Sequence, residues 1–387
     1  MKIIIKYIIC KILSSLKYFP LKKEYIIIQS FSPNIYSDNS RYLYEYLSKK
    51  KMKIFWYTKN SDIEKLLIKK KFFFINNKNI FKTIWITLKT KIVIDTGSGY
   101  YNFLGLISNE SIKICLGHGV GTKLIKFKYI GTNKFETYNK FDFVNFTSDF
   151  AVNKIAKENY NLNNSKIIKF GYPRVEILKE KTNGKQMLEY LLGRKYKNEK
   201  ILYYTPTWRP YNYSLPILKL KKFNFKKFNV FLKNNNILFF YTINTANAPS
   251  DLNNKRYSNI IYIDRNKKPF FDTTLFLKEI DILINDCSTT TTECSVLKKC
   301  QIHIFPDLEN YTKKVGFLID YKKNLAGPLC SNFYDLKKKI LTYLINPKSY
   351  TKRYDRINKN NLKIFYDMLS WNSNYLFYKF IKKKLNS

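Results

Sequence analysis

A series of short apolar runs, each four to six residues long and rich in Ile, Val and aromatic residues, most strongly constrains the fold of this chain. Runs of this length predict buried strands, because a buried helix usually extends over about ten residues or more. Longer amphipathic stretches lie between them, such as 40–50 and 63–71, and predict helices. Strands that alternate with helices favour parallel sheets in an α/β protein. The predicted strands are Tyr25–Gln29, Lys53–Tyr57, Lys91–Asp95, Ser111–Cys115, Asp142–Thr147, Lys166–Phe170, Ile201–Tyr204, Ile237–Thr242, Ile260–Ile263, Ile282–Asn285 and Gln301–Phe305.

The number of predicted strands favours two domains. Eleven strands would overfill a single sheet, whereas two doubly wound, Rossmann-like domains facing a cleft accommodate all of them. A segment at 179–200, rich in Lys, Glu, Asn and Gly, separates a predicted domain at 24–180 from a second at 200–345. Residues 346–387 have helical periodicity and are predicted to pack back on both domains. The length of 387 residues suits this arrangement, at about 150 residues per domain.

The first 23 residues form a separate segment with two interpretations. Lysines at positions 2, 6, 11 and 17 interrupt its Ile-rich sequence, which argues against a membrane-spanning helix. No small-residue cleavage site follows, which argues against a signal peptide. An amphipathic helix lying in the membrane interface fits this pattern. A first helix packed on the body of the protein fits it equally well.

The chain carries a large positive charge. Lys and Arg number 70 against 28 Asp and Glu, which gives a formal net charge of +42. Such an excess is typical of proteins with an anionic partner, whether nucleic acid, a membrane surface or a phosphorylated substrate. An AT-rich genome would also produce it, because Lys, Asn, Ile, Tyr and Phe are abundant together. Only 8 of the basic residues are Arg, the residue that reads guanine bidentately, which argues against a sequence-specific DNA-binding protein.

The cysteine and histidine content argues against a metal site. None of the six cysteines forms a C-x-x-C motif and the chain contains only two His, so no metal ligand is predicted. Scattered thiols are typical of a reducing cytosol. The sequence also lacks a P-loop, a G-x-G-x-x-G motif, a G-x-S-x-G elbow and an H-E-x-x-H motif. Their absence excludes the commonest kinases, dehydrogenases, hydrolases and metalloproteases.

A glycine-rich loop follows the predicted strand at 111–115 and carries one of the two histidines. It reads Gly117-His118-Gly119, and Lys123 follows with a further positive charge. Glycine lets the backbone approach a ligand closely, and histidine is well suited to act as a general base near neutral pH. The alternative is a hydrogen-bonded histidine in an ordinary turn. The other histidine, His303, lies in an apolar run and is predicted to be a core or cleft-wall residue.

A hydroxyl-rich loop, Asp286–Glu293, follows the predicted strand at 282–285. It begins a predicted helix, where free backbone N–H groups and the helix dipole favour an anion. The alternative is a capping box closed by Glu293, with hydroxyls that serve only the helix. Two other strand ends carry an arginine, in the segments Thr205–Pro210 and Gly171–Arg174. Each arginine can bind a phosphate bidentately or form an ordinary ion pair.

Taken in order, these loops resemble the CDP-glycerol glycerophosphotransferase family, which includes the teichoic-acid primases and polymerases. The resemblance extends from about residue 25 to 340, and its motifs are weak singly but specific as an ordered set. In length the chain is more similar to the primases than to the longer polymerases. The matching segments are Tyr36–Leu47, His118–Lys123, Gly171–Arg174, Tyr204–Arg209, Asp281–Thr289, Asp307–Tyr311, Gly316-Phe317 and Gly327-Pro328.

The resemblance implies a glycosyltransferase-B-like fold and the transfer of a polyol phosphate, with glycerol phosphate as the first expectation. The donor would be CDP-activated, and the acceptor a lipid-linked saccharide in the synthesis of teichoic acid or a capsule-like polymer. The resemblance implies no cofactor besides the donor nucleotide, and a peripheral location at the cytoplasmic face of the cell membrane. An anionic membrane surface would attract each nearby Lys by about 1 kcal/mol. No specific nucleic acid is expected as a partner.

The resemblance also assigns roles to residues of the site. His118 is the expected catalytic general base, with Gly119, Lys123 and Arg41 on the acceptor side. No metal ligand is assigned. The expected donor-binding residues are Thr207, Arg209, Asn244, Asp286, Ser288, Thr289 and Glu293.

The chain departs from the family pattern within these motifs. Gly117 replaces a Trp, Cys287 replaces a Tyr, and the segment 241–249 contains no His where the family usually has one. Another CDP-polyol, such as CDP-ribitol, is therefore an alternative donor. The alternative functions are a sugar-nucleotide-dependent glycosyltransferase of the same fold, a non-catalytic relative and, more distantly, a basic nucleic-acid-binding protein.

Overall fold

The computed structural model describes residues 18, 21–97, 106–121, 123–124, 138–181, 184–209, 211, 215–243, 257–367 and 372–387. The strands are β1 (Tyr25–Ile28), β2 (Ile54–Tyr57), β3 (Phe74–Ile75), β4 (Thr90–Asp95), β5 (Ile112–Cys115), β6 (Phe143–Phe146), β7 (Ile167–Lys169), β8 (Lys200–Thr205), β9 (Ile237–Tyr241), β10 (Ile260–Tyr262), β11 (Ile282–Asn285), β12 (Cys300–Ile304) and β13 (Leu329–Cys330). The α-helices are α1 (Asp38–Lys49), α2 (Ser61–Lys69), α3 (Ile80–Leu88), α4 (Pro173–Lys179), α5 (Lys185–Leu192), α6 (Phe225–Asn234), α7 (Thr273–Glu279), α8 (Thr290–Leu297), α9 (Leu308–Lys314), α10 (Phe333–Ile345), α11 (Pro347–Phe365) and α12 (Ser373–Asn386). A π-helix spans Ala151–Asn159, and short 3-10 turns span Asn164–Lys166 and Pro216–Lys219.

The described strands pair in parallel within two sheets. The sheet of the first half has the order β3-β2-β1-β4-β5-β6-β7, and the sheet of the second half has the order β10-β9-β8-β11-β12-β13. The direction of winding reverses between β1 and β4 in the first sheet and between β8 and β11 in the second. Ligands of open parallel sheets bind beyond the carboxyl ends of the strands at such reversals.

The apolar runs form the centre of each sheet. Ile26 and Ile28 of β1 belong to one buried cluster, whereas Ile27 belongs to a second cluster on the opposite face. Leu283 of β11 and its neighbour Ile284 divide between two clusters in the same way. Both sheets are therefore buried on both faces, which explains the continuous apolar sequence of their strands. Each such side chain stabilises the fold by about 1.5–3 kcal/mol.

The structure contains all eleven predicted strands, with ends that differ by no more than one residue, and confirms the α/β class. The sequence does not predict β3 and β13, because strands of 2 residues are too short to produce an apolar run. The limits of the two domains stay a prediction. Residues 1–17, 19 and 20 of the predicted N-terminal helix lie outside the described residues.

The last two helices cross from the second half to the first. α11 packs through Tyr350 on the core of the second sheet, and α12 packs through Phe377 on the core of the first. The Thr147 hydroxyl donates a hydrogen bond of 2.6 Å to the main-chain oxygen of Phe365, at the end of α11. Within the described ranges, no helix combines the length and the apolar character that crossing a bilayer requires.

Candidate active site

The carboxyl ends of the two sheets line a shared cavity of ≈ 330 Å³. Phe31 and His118, which follow β1 and β5, line it from the first half. Thr205, Arg265 and Ser288, which lie at or after the ends of β8, β10 and β11, line it from the second half. The cavity therefore lies where the winding of each sheet predicts a ligand site.

The glycine-rich loop brings His118 to the cavity mouth. Gly117 has a φ of +77°, and a Cβ there would lie 2.9 Å from the ring of Tyr172, so only glycine suits this position. Its carbonyl accepts a hydrogen bond of 2.9 Å from the Asn39 side chain. The His118 side chain is 61% exposed and lies edge-on to Phe31, with 5.7 Å between ring centroids.

Asp38 holds the imidazole of His118 in one orientation. Nδ1 of His118 lies 2.8 Å from Oδ2 of Asp38, whose side chain is only 6% exposed at the start of α1. Burial opposes the charge on Asp38, but Arg174 and the hydrogen bond from His118 hold the pKa of this carboxyl well below its usual range. An ionised carboxylate only accepts, so Nδ1 carries the proton and Nε2 is left as the basic nitrogen.

The sequence gives no functional role to Asp38, although it lies within one of the matching segments. Its partner His118 comes 80 residues later, on another loop. Only the winding of the first sheet brings the two side chains together. An acidic residue in the first turn of a helix is too common to single out, because it also serves the helix dipole.

Arg174 joins the two halves behind His118. Its guanidinium donates to Oδ1 of Asp38, in the first half. It also donates to Oε1 of Glu293 in α8, from Nε at 2.9 Å and from Nη2 at 2.5 Å. Burial raises the pKa of Glu293, and Arg174 opposes that rise. Glu293 thus lines the cavity, but its carboxylate is engaged by Arg174, and its donor-side role stays a prediction.

Arg41 forms a second link between the halves. Its Nη1 lies 3.2 Å from Oδ2 of Asp272, which also accepts a hydrogen bond of 2.8 Å from the hydroxyl of Tyr42. Asp272 in turn caps α7 by accepting from the backbone N–H of Thr274 at 2.9 Å. Arg41 does not line the cavity in the described structure, which places this predicted acceptor-side residue in an interdomain ion pair.

Arg209 lies behind the cavity wall and contacts protein carboxylates. Its guanidinium binds both oxygens of Asp307, at 2.8 and 2.9 Å, and donates to Oδ2 of Asp286 at 2.7 Å. The backbone N–H of Thr207 also donates to Asp286, at 3.0 Å. The predicted donor-side residues Arg209, Asp286 and Thr207 are all buried, and together they fix the loop after β8 to the loop after β11.

The hydroxyl-rich turn before α8 meets the glycine-rich loop. A Cβ on Gly119 would lie 2.9 Å from Oγ1 of Thr289, so the two predicted loops are in contact. Ser288 and Thr289 both line the cavity that His118 lines from the first half. The structure therefore brings the predicted catalytic residue together with two of the predicted donor-side residues, which lie far apart in the sequence.

The remaining predicted residues are Lys123, Asn244 and His303, and each of them has a different outcome. The backbone of Lys123 forms an antiparallel bridge with Phe317, and its side chain does not line the described cavity. Asn244 lies outside the described residues. His303 is buried in β12, as predicted, where Nδ1 lies 3.0 Å from the main-chain oxygen of Asp286 and burial lowers its pKa to about 4.

Arg265 is a cavity residue that the sequence patterns did not single out. This residue follows β10, lines the cavity and donates from Nη2 to Oγ1 of Thr273 at 2.9 Å. A usable signal existed, because it is one of only eight arginines and lies after a predicted strand. No three or more His, Cys, Asp or Glu side chains are grouped to hold a metal ion in the part of the chain that the structure describes.

Two parallel sheets whose carboxyl ends line one cavity form an α/β structure with a glycosyltransferase-B-like fold. The chain belongs to the CDP-Glycerol:Poly(glycerophosphate) glycerophosphotransferase family, whose pattern matches residues 12–366. It is 24% identical over 363 residues to the teichoic acid glycerol-phosphate transferase of Staphylococcus aureus, covering 84% of each chain. It is 26% identical over 237 residues to the teichoic acid glycerol-phosphate primase of Bacillus subtilis, covering 61% of this chain and 55% of that one.

Solved structures share the fold. The wall teichoic acid polymerase TagF matches with a TM-score of 0.75 and 18% identity, covering 99% of this chain and 96% of that one. A TagF variant soaked with CDPG matches with a TM-score of 0.76 and 20% identity over the same shares of the two chains. At these identities the likeness shows the fold, and the chemistry of this chain is argued from its own residues.

Proposed function

We propose that this protein transfers a polyol phosphate, with glycerol phosphate as the first choice, from a CDP-linked donor to a hydroxyl group of an acceptor. The observation that carries this proposal is the pairing of His118 with the buried Asp38 at the mouth of a cavity that Ser288 and Thr289 line from the other half. Membership of the glycerophosphotransferase family supports the identity of the donor.

The reaction is a displacement at phosphorus. The acceptor oxygen forms a bond to the phosphorus that carries the polyol, and the bond from that phosphorus to the oxygen of CMP breaks. CMP leaves with the electron pair, and Nε2 of His118 takes the proton of the acceptor hydroxyl. Such a transfer depends on in-line positioning and on neutralising charge, with little covalent work by the protein.

The second half supplies the donor side of the site. The hydroxyls of Ser288 and Thr289 are donors for phosphate oxygens, and the backbone N–H groups at the start of α8 favour an anion. Arg209 acts as a positioning residue, because its contacts with Asp286 and Asp307 fix the two loops that form this wall. The acceptor enters from the first half, beside His118.

The acceptor in this proposal is a lipid-linked saccharide at the cytoplasmic face of the membrane. An exposed face of α3 supports docking on an anionic bilayer, since Phe81 is 84% exposed and Trp85 is 52% exposed there. Lys78 and Lys82 lie beside these aromatic residues and are also exposed. Aromatic residues with flanking lysines are typical of surfaces that lie in the membrane interface.

A donor screen tests the reaction. Purified protein is incubated with CDP-glycerol, CDP-ribitol or a UDP-sugar, each with and without a membrane extract that supplies lipid-linked acceptor, and CMP is measured. The proposal predicts extract-dependent CMP release from one CDP-polyol. Release of UDP from a UDP-sugar, with no CMP from either polyol donor, would overturn it in favour of a glycosyltransferase.

Vesicle flotation tests membrane docking separately. Vesicles containing an anionic phospholipid should bind the wild-type protein, and a Phe81→Ser/Trp85→Ser variant should bind them more weakly. Tyr334→Ser/Ile345→Ser is the matched control, since both residues are exposed apolar side chains on α10. Equal loss of binding in both variants, or none in either, would contradict the role of α3.

A further inference from the structure

The arginines of the cleft differ in what they contact. Arg174 is held between two carboxylates, Asp38 and Glu293. Arg41 is held between Glu45 and Asp272, each at 3.2 Å. These two guanidinium groups therefore balance protein charges and link the two halves. Neither has a free edge to offer a substrate, because a guanidinium that binds carboxylates on two sides has used most of its donors.

Arg265 is different, because it lines the cavity and no ion pair with a carboxylate is found for it among the described residues. Its one described hydrogen bond is to a neutral partner, the hydroxyl of Thr273 at 2.9 Å. Its guanidinium carbon lies 5.6 Å from the ring centroids of both Phe31 and Phe271. Contact with two aromatic rings stabilises the guanidinium in place, and no carboxylate of the described residues competes with an oxyanion for its other N–H groups.

The charge of the cavity gives this arginine its importance. Three carboxylates line the described cavity, Asp38, Asp272 and Glu293, and the arginines in the same lining are Arg174 and Arg265. Without Arg265, three carboxylates would face a single arginine, and this wall would repel a diphosphate more strongly. Arg174 is engaged by Asp38 and Glu293, so Arg265 is the lining arginine whose charge no carboxylate of the described residues takes up.

The position of Arg265 also suits a phosphate at the reaction centre. Both functional groups contact Phe31, with the His118 ring centroid at 5.7 Å and the Arg265 guanidinium carbon at 5.6 Å from its ring centroid. The histidine and the arginine therefore share one neighbouring ring and line the same cavity. A phosphate bound by Arg265 would lie in the cavity that His118 also lines.

We infer that Arg265 is a substrate-binding residue that grips the diphosphate of the nucleotide-linked donor and neutralises the phosphate that leaves on CMP. The inference rests on the proposed function, and it names the cation of the donor site. The fork of N–H donors on the Arg265 guanidinium can bind two phosphate oxygens at once, which the single ammonium group of a lysine does not match.

Titration of CDP into the full-length protein, followed by calorimetry, tests the inference. Arg265→Gln should weaken CDP binding by about ten-fold or more, and Arg265→Lys should recover part of that loss. Lys267→Gln is the matched control, because it removes a positive charge from an exposed side chain of the same loop. The control should bind CDP as the wild type does.

Kinetics and unfolding separate binding from a structural role. Arg265→Gln should raise the KM for the CDP-polyol and lower kcat, with the same unfolding temperature as the wild type. A lower unfolding temperature with no partial rescue by Arg265→Lys would overturn the inference, because the side chain would then only hold its loop. Unchanged CDP affinity in Arg265→Gln would overturn it too.

The failure of this inference can be told apart from failure of the proposed function. If the wild-type protein neither binds CDP nor releases CMP from any CDP-polyol, the proposed function fails and the inference fails with it. If the wild-type protein binds CDP and Arg265→Gln binds it equally well, only the role of Arg265 is wrong.

Discussion

Replacing Asp38 by Asn should reverse the proton arrangement on His118. Oδ1 of Asp38 accepts hydrogen bonds from Arg174 and, at 2.7 Å, from the backbone N–H of Asn39, so this position demands an oxygen. In Asp38→Asn the amide NH2 group must therefore occupy the other position and point at Nδ1 of His118. Because an NH2 group donates, Nδ1 becomes the acceptor, the proton moves to Nε2, and the base is lost.

The expected fall in the rate of CMP release in Asp38→Asn equals the contribution of a general base. Proton transfer by a positioned base contributes about 10²–10⁴-fold in rate, which corresponds to roughly 3–5 kcal/mol. We expect kcat for CMP release to fall by this factor in Asp38→Asn, with little change in the KM for the donor, since Asp38 lies on the acceptor side. Asp62→Asn is the control, because Asp62 also lies in the first turn of a helix but is exposed.

Two measurements would refute this reasoning. The ring nitrogen signals of His118 are easily assigned by NMR, because the chain has only two histidines. They should show a protonated Nδ1 in the wild type and a protonated Nε2 in Asp38→Asn. An unchanged tautomer with an unchanged kcat would contradict the role of Asp38. A further loss of rate when Asp38→Asn is added to His118→Ala would show that Asp38 does not act through His118.

Three further predictions concern stability and the contact between the halves. Arg174→Met leaves two buried carboxylates unpaired and should lower the free energy of unfolding by about 3–5 kcal/mol in urea. Lys154→Met breaks an exposed ion pair with Glu158 and should cost less than about 1 kcal/mol, and equal losses in the two variants would contradict the role of Arg174. Gly119→Ala places a methyl group 2.9 Å from Oγ1 of Thr289, and because it displaces this hydroxyl it should weaken CDP binding and slow CMP release. Wild-type affinity and rate would show that this contact is not needed. Burial lowers the pKa of His303 to about 4 from its ordinary value of 6.5. As the pH falls through this range, the unfolded chain binds a proton before the folded chain does, so the free energy of unfolding should drop by up to about 3 kcal/mol. Urea unfolding of His303→Gln should lack this drop, and an identical pH dependence in the two proteins would refute the assignment.

The fold was predictable because its strands are buried on both faces. A run such as Ile26–Ile28 needs no partner to be recognised, since a short continuous apolar run between polar segments is typical of a strand buried in a parallel sheet. Strands β3 and β13 gave no such signal, because each is only 2 residues long. Periodicity therefore located every strand that contributes substantially to the core, and missed the short edge strands.

The site was predictable only where a loop carries its own signal. His118 between glycines and the hydroxyls of Ser288 and Thr289 stand out beside a strand end. The partners of a side chain are set by the tertiary fold, so the sequence could not show that Asp307 engages Arg209. For the same reason it could not reveal that Asp38 orients the histidine.

The role of His118 is tested most directly by the rate of CMP release from CDP-glycerol, measured for the wild-type protein and for His118→Ala with membrane extract as the source of acceptor. We expect extract-dependent release by the wild type, and a loss of about 10²–10⁴-fold in His118→Ala at unchanged CDP affinity and unfolding temperature. Equal rates of release by the two proteins would contradict the central claim that His118 is the base of a polyol-phosphate transferase.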